Sequence, residues 1–179
     1  MKRGFLELSK SRRNVFEFSD KPVKAAHLKK ILEAGRWAPS FLNSQPWHFF
    51  VIKDKPLISR IIPTAAYRAF YSDPPILIMV ALDNAACSPH SGIKFGQHEH
   101  HPCIEAVGMA VLSMALEAFD LEISSCIITP VKNALKKLVK IPERYTILEI
   151  LGVGYEKKGG YKTVKERRPL SQTVTYYGK

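Results

Sequence analysis

A dense group of polar side chains lies in segment 38–49, between a helical pattern and an apolar run. Its prolines stiffen the chain, while its hydroxyl and amide groups can both donate and accept hydrogen bonds. Such a turn could bind the polar edge of a flat heterocycle, with Phe41 or Trp47 as an apolar surface. The alternative is a helix stop with local side-chain-to-backbone hydrogen bonds. The candidate binding residues are Pro39, Ser40, Asn43 and Gln45.

Basic residues gather near both ends of the chain. Arg12, Arg13 and Asn14 are consecutive, and Lys165 and Arg167 precede Pro169. Guanidinium groups suit bidentate binding of phosphate, and a charge-assisted hydrogen bond contributes about 1.5–3 kcal/mol. Taken separately, the two groups could be an exposed turn and a solvated tail. Together they predict that both ends of the chain bind one phosphate.

Helical and strand patterns alternate along the chain. Apolar residues at helical spacing predict a helix over 25–37, and residues 103–119 are apolar nearly all round, which predicts a buried core helix. Apolar runs predict the strands, and no glycine-rich turn joins a strand to a helix, so a dinucleotide-binding Rossmann unit is poorly supported. We expect an α+β fold with a mixed or antiparallel sheet between helices and an extended C-terminal tail. The predicted strands are 47–52, 75–82, 123–129 and 145–153. One or two short helices broken near Pro63 are predicted over 55–69, a further helix over 131–139, and a loop over 83–102.

Length and composition are those of an ordinary globular protein. The chain has 179 residues, of which 46% are hydrophobic and 24% charged, so we expect one domain over 1–179. The longest weakly charged helical run, 105–117, is shorter than the roughly 20 residues of a membrane span, so we expect no membrane span, and we expect no export signal. The three scattered cysteines are predicted to be free thiols, which favours a cytoplasmic location.

The formal net charge of +11 is unevenly distributed. Residues 1–36 carry +6, residues 132–168 carry +7 and Lys179 carries +1, whereas residues 37–131 carry −3. A nucleic-acid surface is one interpretation, and a small anionic ligand bound between two basic ends is the other. The second is favoured, because exposed aromatic residues are not interleaved with the cations and no nucleic-acid-binding motif is present.

The order of these motifs resembles the FMN-dependent nitroreductase family. Residues 12–18 resemble its opening arginine-containing motif, and residues 39–49 are similar to its most specific signature. Residues 148–154 followed by 165–170 resemble its C-terminal strand and phosphate-binding tail. The resemblance extends over nearly the whole chain.

The resemblance implies FMN as cofactor and a homodimer with two FMN sites at its interface. Arg12, Arg13, Asn14, Lys165 and Arg167 would bind the phosphate side. The turn residues Pro39, Ser40 and Asn43, with Gln45 as a further candidate, would reach the flavin ring from the other subunit. The family passes hydride from NADH or NADPH through FMN to a nitroaromatic, quinone or similar acceptor by a ping-pong mechanism. No side chain is assigned as catalytic, because flavin performs the chemistry, and neither nucleic acid nor a membrane is an expected partner.

Two positions and one segment depart from the family pattern. Phe16 stands where the family has a basic residue near the flavin edge that becomes anionic on reduction. Its absence should lower the flavin reduction potential unless Arg13 or Arg68 substitutes. Asn14 replaces the usual serine, and segment 124–130 differs in detail where the family places backbone donors near the reactive nitrogen.

A histidine-rich segment is not explained by the resemblance. His98, His100, His101 and Cys103 are potential ligands for zinc or iron, but their spacing matches no known ligand pair. A polar loop is favoured over a metal site, and a substrate-facing lid lies between these interpretations. The alternatives for the whole chain are an FMN enzyme of other chemistry (dehalogenation or flavin destruction), a basic nucleic-acid-binding module and a metal-binding variant.

Overall fold

The computed structural model describes residues 4–65, 72–87, 102–130, 135, 138–160 and 166–178. Five helices and four strands lie within these ranges, and short 3₁₀ turns follow α2, α3 and the start of the C-terminal tail. The helices are α1 (Phe5–Ser11), α2 (Ala25–Arg36), α3 (Lys55–Ile61), α4 (Asn84–Cys87) and α5 (Pro102–Asp120). The strands are β1 (Trp47–Ile52), β2 (Ile76–Asp83), β3 (Ser124–Ile128) and β4 (Tyr145–Gly154).

The four strands form one antiparallel sheet in the order β1-β2-β4-β3. A register shift in the β2–β4 pairing lies between Val80 and Ala81. A single parallel bridge between Asn14 and Ser125 places the N-terminal segment along the outer edge of β3. The predicted α+β class is therefore confirmed, and its sheet is antiparallel.

Strand β2 is the centre of two hydrophobic cores. Successive side chains of a strand point to opposite faces, so Leu77 and Met79 join one core while Ile78 and Val80 join the other. Helices α2 and α5 cover the second face, and α3 with the N-terminal segment covers the first. The unbroken apolar run of β2 follows from burial on both faces.

Helix α5 is only partly the buried core helix that its composition predicts. Nine of its residues are buried, but Ile104, Met109 and Leu112 are exposed on one side. Among the described helices, α5 has the length and composition of a membrane span, with 19 residues and a mean hydropathy of 1.5. Half of that window is buried inside the molecule, and the core helix of a soluble protein meets the same criterion.

Within the described residues the other predicted elements agree with the structure apart from two short helices, and positions 66–69 of the predicted helical segment lie outside those residues. Helix α4 lies where a loop was expected, and α1 was not predicted. Helix α1 buries no residue and has no side-chain cap at its start, so neither periodicity nor a capping signal marks it. Most of the predicted helix 131–139 and loop positions 88–101 lie outside the described residues.

The prediction of three free thiols is wrong. Cys87 at the end of α4 is disulfide-bonded to Cys103 in the first turn of α5, with their Cα atoms 6.3 Å apart, and Cys126 alone is free. Sequence spacing does not reveal which cysteines meet when the fold brings two helix ends together. The argument from free thiols for a cytoplasmic location is thereby lost, and that location stays a prediction.

Candidate functional site

The N-terminal basic motif is fixed to the sheet by the residues that follow it. Val15 N donates to Ser125 O at 3.1 Å, and Val15 and Phe18 are buried in the core on the α3 side. The Phe16 ring packs against the same core. The chain direction at residue 14 is thus set by packing, and Arg12 projects from an anchored segment.

Asn14 connects Arg12 to strand β3. Its Oδ1 accepts a hydrogen bond from Arg12 Nη1 at 3.3 Å and another from the Ile127 N–H, also at 3.3 Å. The position of the Arg12 guanidinium is therefore tied to the backbone of β3.

Arg12 and Arg167 lie close enough for their charges to interact. Burial lowers the pKa of the Arg12 guanidinium, and the positive charge of Arg167 lowers this pKa further. Arg167 is exposed and donates from Nη1 to Glu166 O at 2.7 Å. Within the described ranges no carboxylate forms an ion pair with either guanidinium. Two like charges brought together without a counter-ion make a site for an anion.

A buried thiol lies beside this basic pair. Burial raises the pKa of Cys126 to about 12, although the charge of Arg12 opposes the rise. The thiol is fully protonated at neutral pH, and a protonated thiol is a poor nucleophile. Cys126 is therefore a packing residue of β3.

The predicted ring-binding turn follows the C-terminus of α2. Glu33 accepts hydrogen bonds from Arg36 Nε at 2.9 Å and Trp37 Nε1 at 2.7 Å, and these bonds lower the pKa of its exposed carboxyl to about 2. Trp37 remains 73% exposed. The hydrogen bonds to Glu33 fix the C-terminus of α2 and therefore the start of the turn.

Within the turn, Ser40 has a local role. Its Oγ accepts a hydrogen bond from Gln45 N at 3.0 Å, and Gln45 Nε2 donates to Asn43 O at 3.4 Å. The hydroxyl proton of Ser40 stays available for a ligand. The alternative of a helix stop with local side-chain-to-backbone hydrogen bonds is thus correct for one bond of Ser40. The side chains of Asn43 and Gln45 are exposed.

The backbone of this turn is strained. Leu42, Asn43 and Gln45 have φ of 48°, 55° and 46°, in the left-handed region that non-glycine residues rarely adopt. Such strain costs on the order of 1–3 kcal/mol per residue, and it clusters at ligand sites. The side-chain oxygen of Ser44 is buried there without a hydrogen-bond partner.

A half-buried carboxyl near the end of β3 was not identified from the sequence. Burial raises the pKa of Glu149 in β4, and a hydrogen bond from Thr129 opposes the rise. Its Oε2 is buried without a partner. A single Glu in the apolar strand pattern 145–153 is the signal that could have pointed to it.

The predicted site residues fall into two groups. Arg12 is hydrogen-bonded to Asn14 at the edge of β3 and lies near enough to Arg167 for their charges to interact. The turn residues form a separate cluster whose 3₁₀ turn contacts α5. Among the described residues no hydrogen bond joins the two groups. Arg13 and Pro39 are exposed. Lys165, Arg68 and the histidines of segment 88–101 lie outside the described residues, and no cluster of metal ligands occurs in the part of the chain that is described.

Comparison with known proteins assigns the chain to a family. The sequence model of the nitroreductase family matches residues 10–155, from just before Arg12 to just after β4. The chain belongs to the nitroreductase family. Nitroreductase-family relatives span nearly its whole length.

Three relatives illustrate the range of the similarity. The NADH dehydrogenase of Thermus thermophilus is 24% identical, with 92% of each chain covered. The iodotyrosine deiodinase of Thermotoga neapolitana is 26% identical, with 96% of each chain covered. A structure from Desulfovibrio desulfuricans solved in complex with FMN has a TM-score of 0.78 and 26% identity, covering 100% of this chain and 99% of its own.

Proposed function

We propose that this nitroreductase-family protein is an FMN-dependent oxidoreductase that takes hydride from NADH or NADPH and reduces a nitroaromatic, quinone or similar acceptor. The observation that carries the proposal is the electrostatic interaction of Arg12 with Arg167, while no described carboxylate forms an ion pair with either guanidinium. Such a pair supplies the donors that a flavin phosphate requires. The FMN bound by the similar Desulfovibrio desulfuricans protein supports the same cofactor.

The described residues fit FMN at both of its ends. Arg12 and Arg167 would hold the phosphate, with Arg13 nearby in sequence and Lys165 as the cation predicted beside Arg167. The Ser40 hydroxyl, the exposed amides of Asn43 and Gln45, and the unpartnered Ser44 Oγ offer donors and acceptors for the flavin ring. The strained backbone of the turn supports a ligand site there.

When bound, FMN would supply two-electron chemistry, accepting hydride from the nicotinamide and delivering it to the second substrate in a ping-pong cycle. The chain's own residues bind and orient the cofactor. Arg12 and Arg167 neutralise the phosphate, and the rigid turn holds its amide groups in one direction. Cys126, whose pKa is raised to about 12, takes no part as a nucleophile.

The proposal includes a homodimer. Exposed Ile104, Gly108 and Leu112 follow each other at four-residue intervals on α5, and α1, which packs against α5, exposes Phe5 and Leu6. The tail 166–178 is exposed throughout, with Tyr177 94% exposed. A second copy would bury these apolar groups and bring its own ring-binding turn to the phosphate site.

The arginine pair gives the first prediction. Arg12→Ala removes one charged donor and should weaken FMN binding about 10- to 100-fold. Titration of the apoprotein with FMN, followed by quenching of flavin fluorescence, measures the change. Arg60→Ala, which removes an exposed arginine in the last turn of α3, is the control for net charge. Equal FMN affinity in wild type and Arg12→Ala would contradict the phosphate assignment.

The cofactor and reaction are tested on the purified wild-type protein. We expect a yellow protein with a flavin absorption spectrum, FMN as the released ligand, and oxidation of NADH or NADPH that depends on a nitroaromatic or quinone. A colourless protein that takes up no added FMN would overturn the proposal.

Reductive dehalogenation is a second candidate. The similarity to the Thermotoga neapolitana iodotyrosine deiodinase, over 96% of both chains, favours it. Release of iodide from iodotyrosine by the reduced holoenzyme, without turnover of nitroaromatics or quinones, would select this reaction over the first.

A further inference from the structure

Asn14 lies between the Arg12 guanidinium and the edge of β3. Both hydrogen bonds to its Oδ1 come from the protein, one from Arg12 Nη1 and one from the Ile127 N–H, each at 3.3 Å. A carbonyl oxygen has two lone pairs, so these two donors occupy its accepting capacity. We propose that Asn14 acts on FMN binding mainly as a positioning residue, whose Oδ1 fixes Arg12 for the phosphate. The inference rests on the proposed function, because it requires that Arg12 binds that phosphate.

The charges around Arg12 explain why such a residue is needed. Burial and then the positive charge of Arg167 lower the pKa of Arg12, and no described carboxylate forms an ion pair that would offset the repulsion between the two guanidinium groups. A long arginine side chain without a fixed partner would turn away from Arg167 and would lose rotamer freedom on binding a ligand. The bond to Asn14 holds the guanidinium in place before the phosphate arrives.

The neutrality of the Asn14 amide is also important. A carboxylate at this position would accept the same two hydrogen bonds more strongly, but its charge would cancel that of Arg12. The carboxylate would still fix Arg12, but the site would attract a phosphate less strongly because its net positive charge would be lower. An uncharged acceptor keeps Arg12 in position and leaves its charge for the ligand.

The anchor on the other side is part of the sheet. Ile127 belongs to β3, and the bond from Val15 N to Ser125 O holds residue 15 to the same strand. Removal of the Asn14 side chain leaves this backbone bond and the burial of Val15 unchanged. Variants at Asn14 are therefore expected to fold.

The test compares FMN with riboflavin, which lacks the phosphate. Asn14→Leu removes the acceptor at similar volume, and Asn14→Asp keeps the acceptor but adds a charge. We expect both variants to weaken FMN binding about tenfold and riboflavin binding less than about twofold, measured by fluorescence titration of the apoproteins. Asn84→Leu is the matched control, because Asn84 donates to Thr146 Oγ1 at 3.1 Å near the opposite end of β4.

A double-mutant cycle with Arg12→Ala separates the two roles. In the Arg12→Ala background, Asn14→Leu should have no further effect on FMN affinity, since the residue to be positioned is gone. A further loss in that background, or an equal loss of riboflavin binding, would show a direct flavin contact and overturn the positioning role.

FMN affinity unchanged by Asn14→Leu but lowered by Arg12→Ala would also overturn the positioning role and leave the proposed function intact. FMN affinity unchanged by Arg12→Ala itself would reject the proposed function. Asn14→Ala, which removes the acceptor without adding a charge, keeps the test decisive if Asn14→Leu fails to fold.

Discussion

Arg12, Ser40 and Phe16 each contact a neighbour that the fold supplies. The guanidinium of Arg12 suits a phosphate and the hydroxyl of Ser40 suits a polar ring edge, so the sequence alone predicts these side chains by type. That the Gln45 N–H donates to Ser40, and that Asn14 serves Arg12, depends on backbone directions that only the fold sets. Phe16 illustrates the same limit: its ring packs against the core on the α3 side, so a basic residue there would lose that packing contact.

Glu149 gives a prediction about the pH dependence of stability. Because burial raises its pKa in the folded protein, its stabilising contribution is complete below the unfolded pKa and is lost as pH rises through the folded pKa. We therefore expect Glu149→Gln to raise the free energy of unfolding at pH 7 and to change it little below about pH 4. Urea unfolding of both proteins at the two pH values measures the difference.

The control for this experiment is Glu143→Gln, which removes an exposed carboxylate just before β4. A Glu149→Gln variant that is less stable than wild type at pH 7 would mean that the ionised carboxylate is stabilised by the fold, contrary to its burial.

At the level of elements, the strongest patterns predicted the structure well. Strand β1 has the predicted bounds, and α2 ends one residue earlier than predicted. Helix α5 has the predicted position, but part of its apolar surface is exposed. Composition cannot predict this exposure, because an apolar helix surface has the same composition whether it packs against its own chain or against another. The short helices α1 and α4 lack the length and caps that give a sequence signal.

The Cys87–Cys103 bond links two of these helices and should contribute to stability. It closes a loop with a sequence separation of 16, and a loop of that size is associated with roughly 3 kcal/mol. We expect reductant to lower the free energy of unfolding of wild type by about this amount. Urea unfolding with and without dithiothreitol tests this expectation.

Two variants isolate the bond from other effects of the reductant. Cys87→Ala combined with Cys103→Ala should be insensitive to dithiothreitol, whereas Cys126→Ala should keep the wild-type response. Alkylation of the unreduced, unfolded wild type should label one cysteine, and labelling of all three would contradict the pairing.

For the whole molecule, the uncovered apolar groups on α5, α1 and the tail favour a second copy of the chain. Gly108 lies in the middle of the exposed side of α5, and an added Cβ would meet nothing within its own subunit. We expect Gly108→Glu to fold, because Gly is the poorer helix former, and to separate the dimer by placing a charge in its interface. Light scattering should give a mass near 20.2 kDa for the variant and twice that for wild type.

Ala26→Glu, on the exposed side of α2, is the matched control for this experiment and should stay dimeric. FMN content should fall with the dimer if the ring-binding turn comes from the second subunit. A monomeric wild type, or a Gly108→Glu variant that remains dimeric, would contradict the interface.

The proximity of Arg12 to Arg167 has a consequence for biosynthesis. Arg167 follows helices α1–α5 and strands β1–β4 in the sequence, so a growing polypeptide on the ribosome cannot form the phosphate site until these elements have been synthesised. A chain terminated early, or trimmed by a protease at its exposed tail, would keep its sheet and its helices but lack half of the charge that attracts the phosphate.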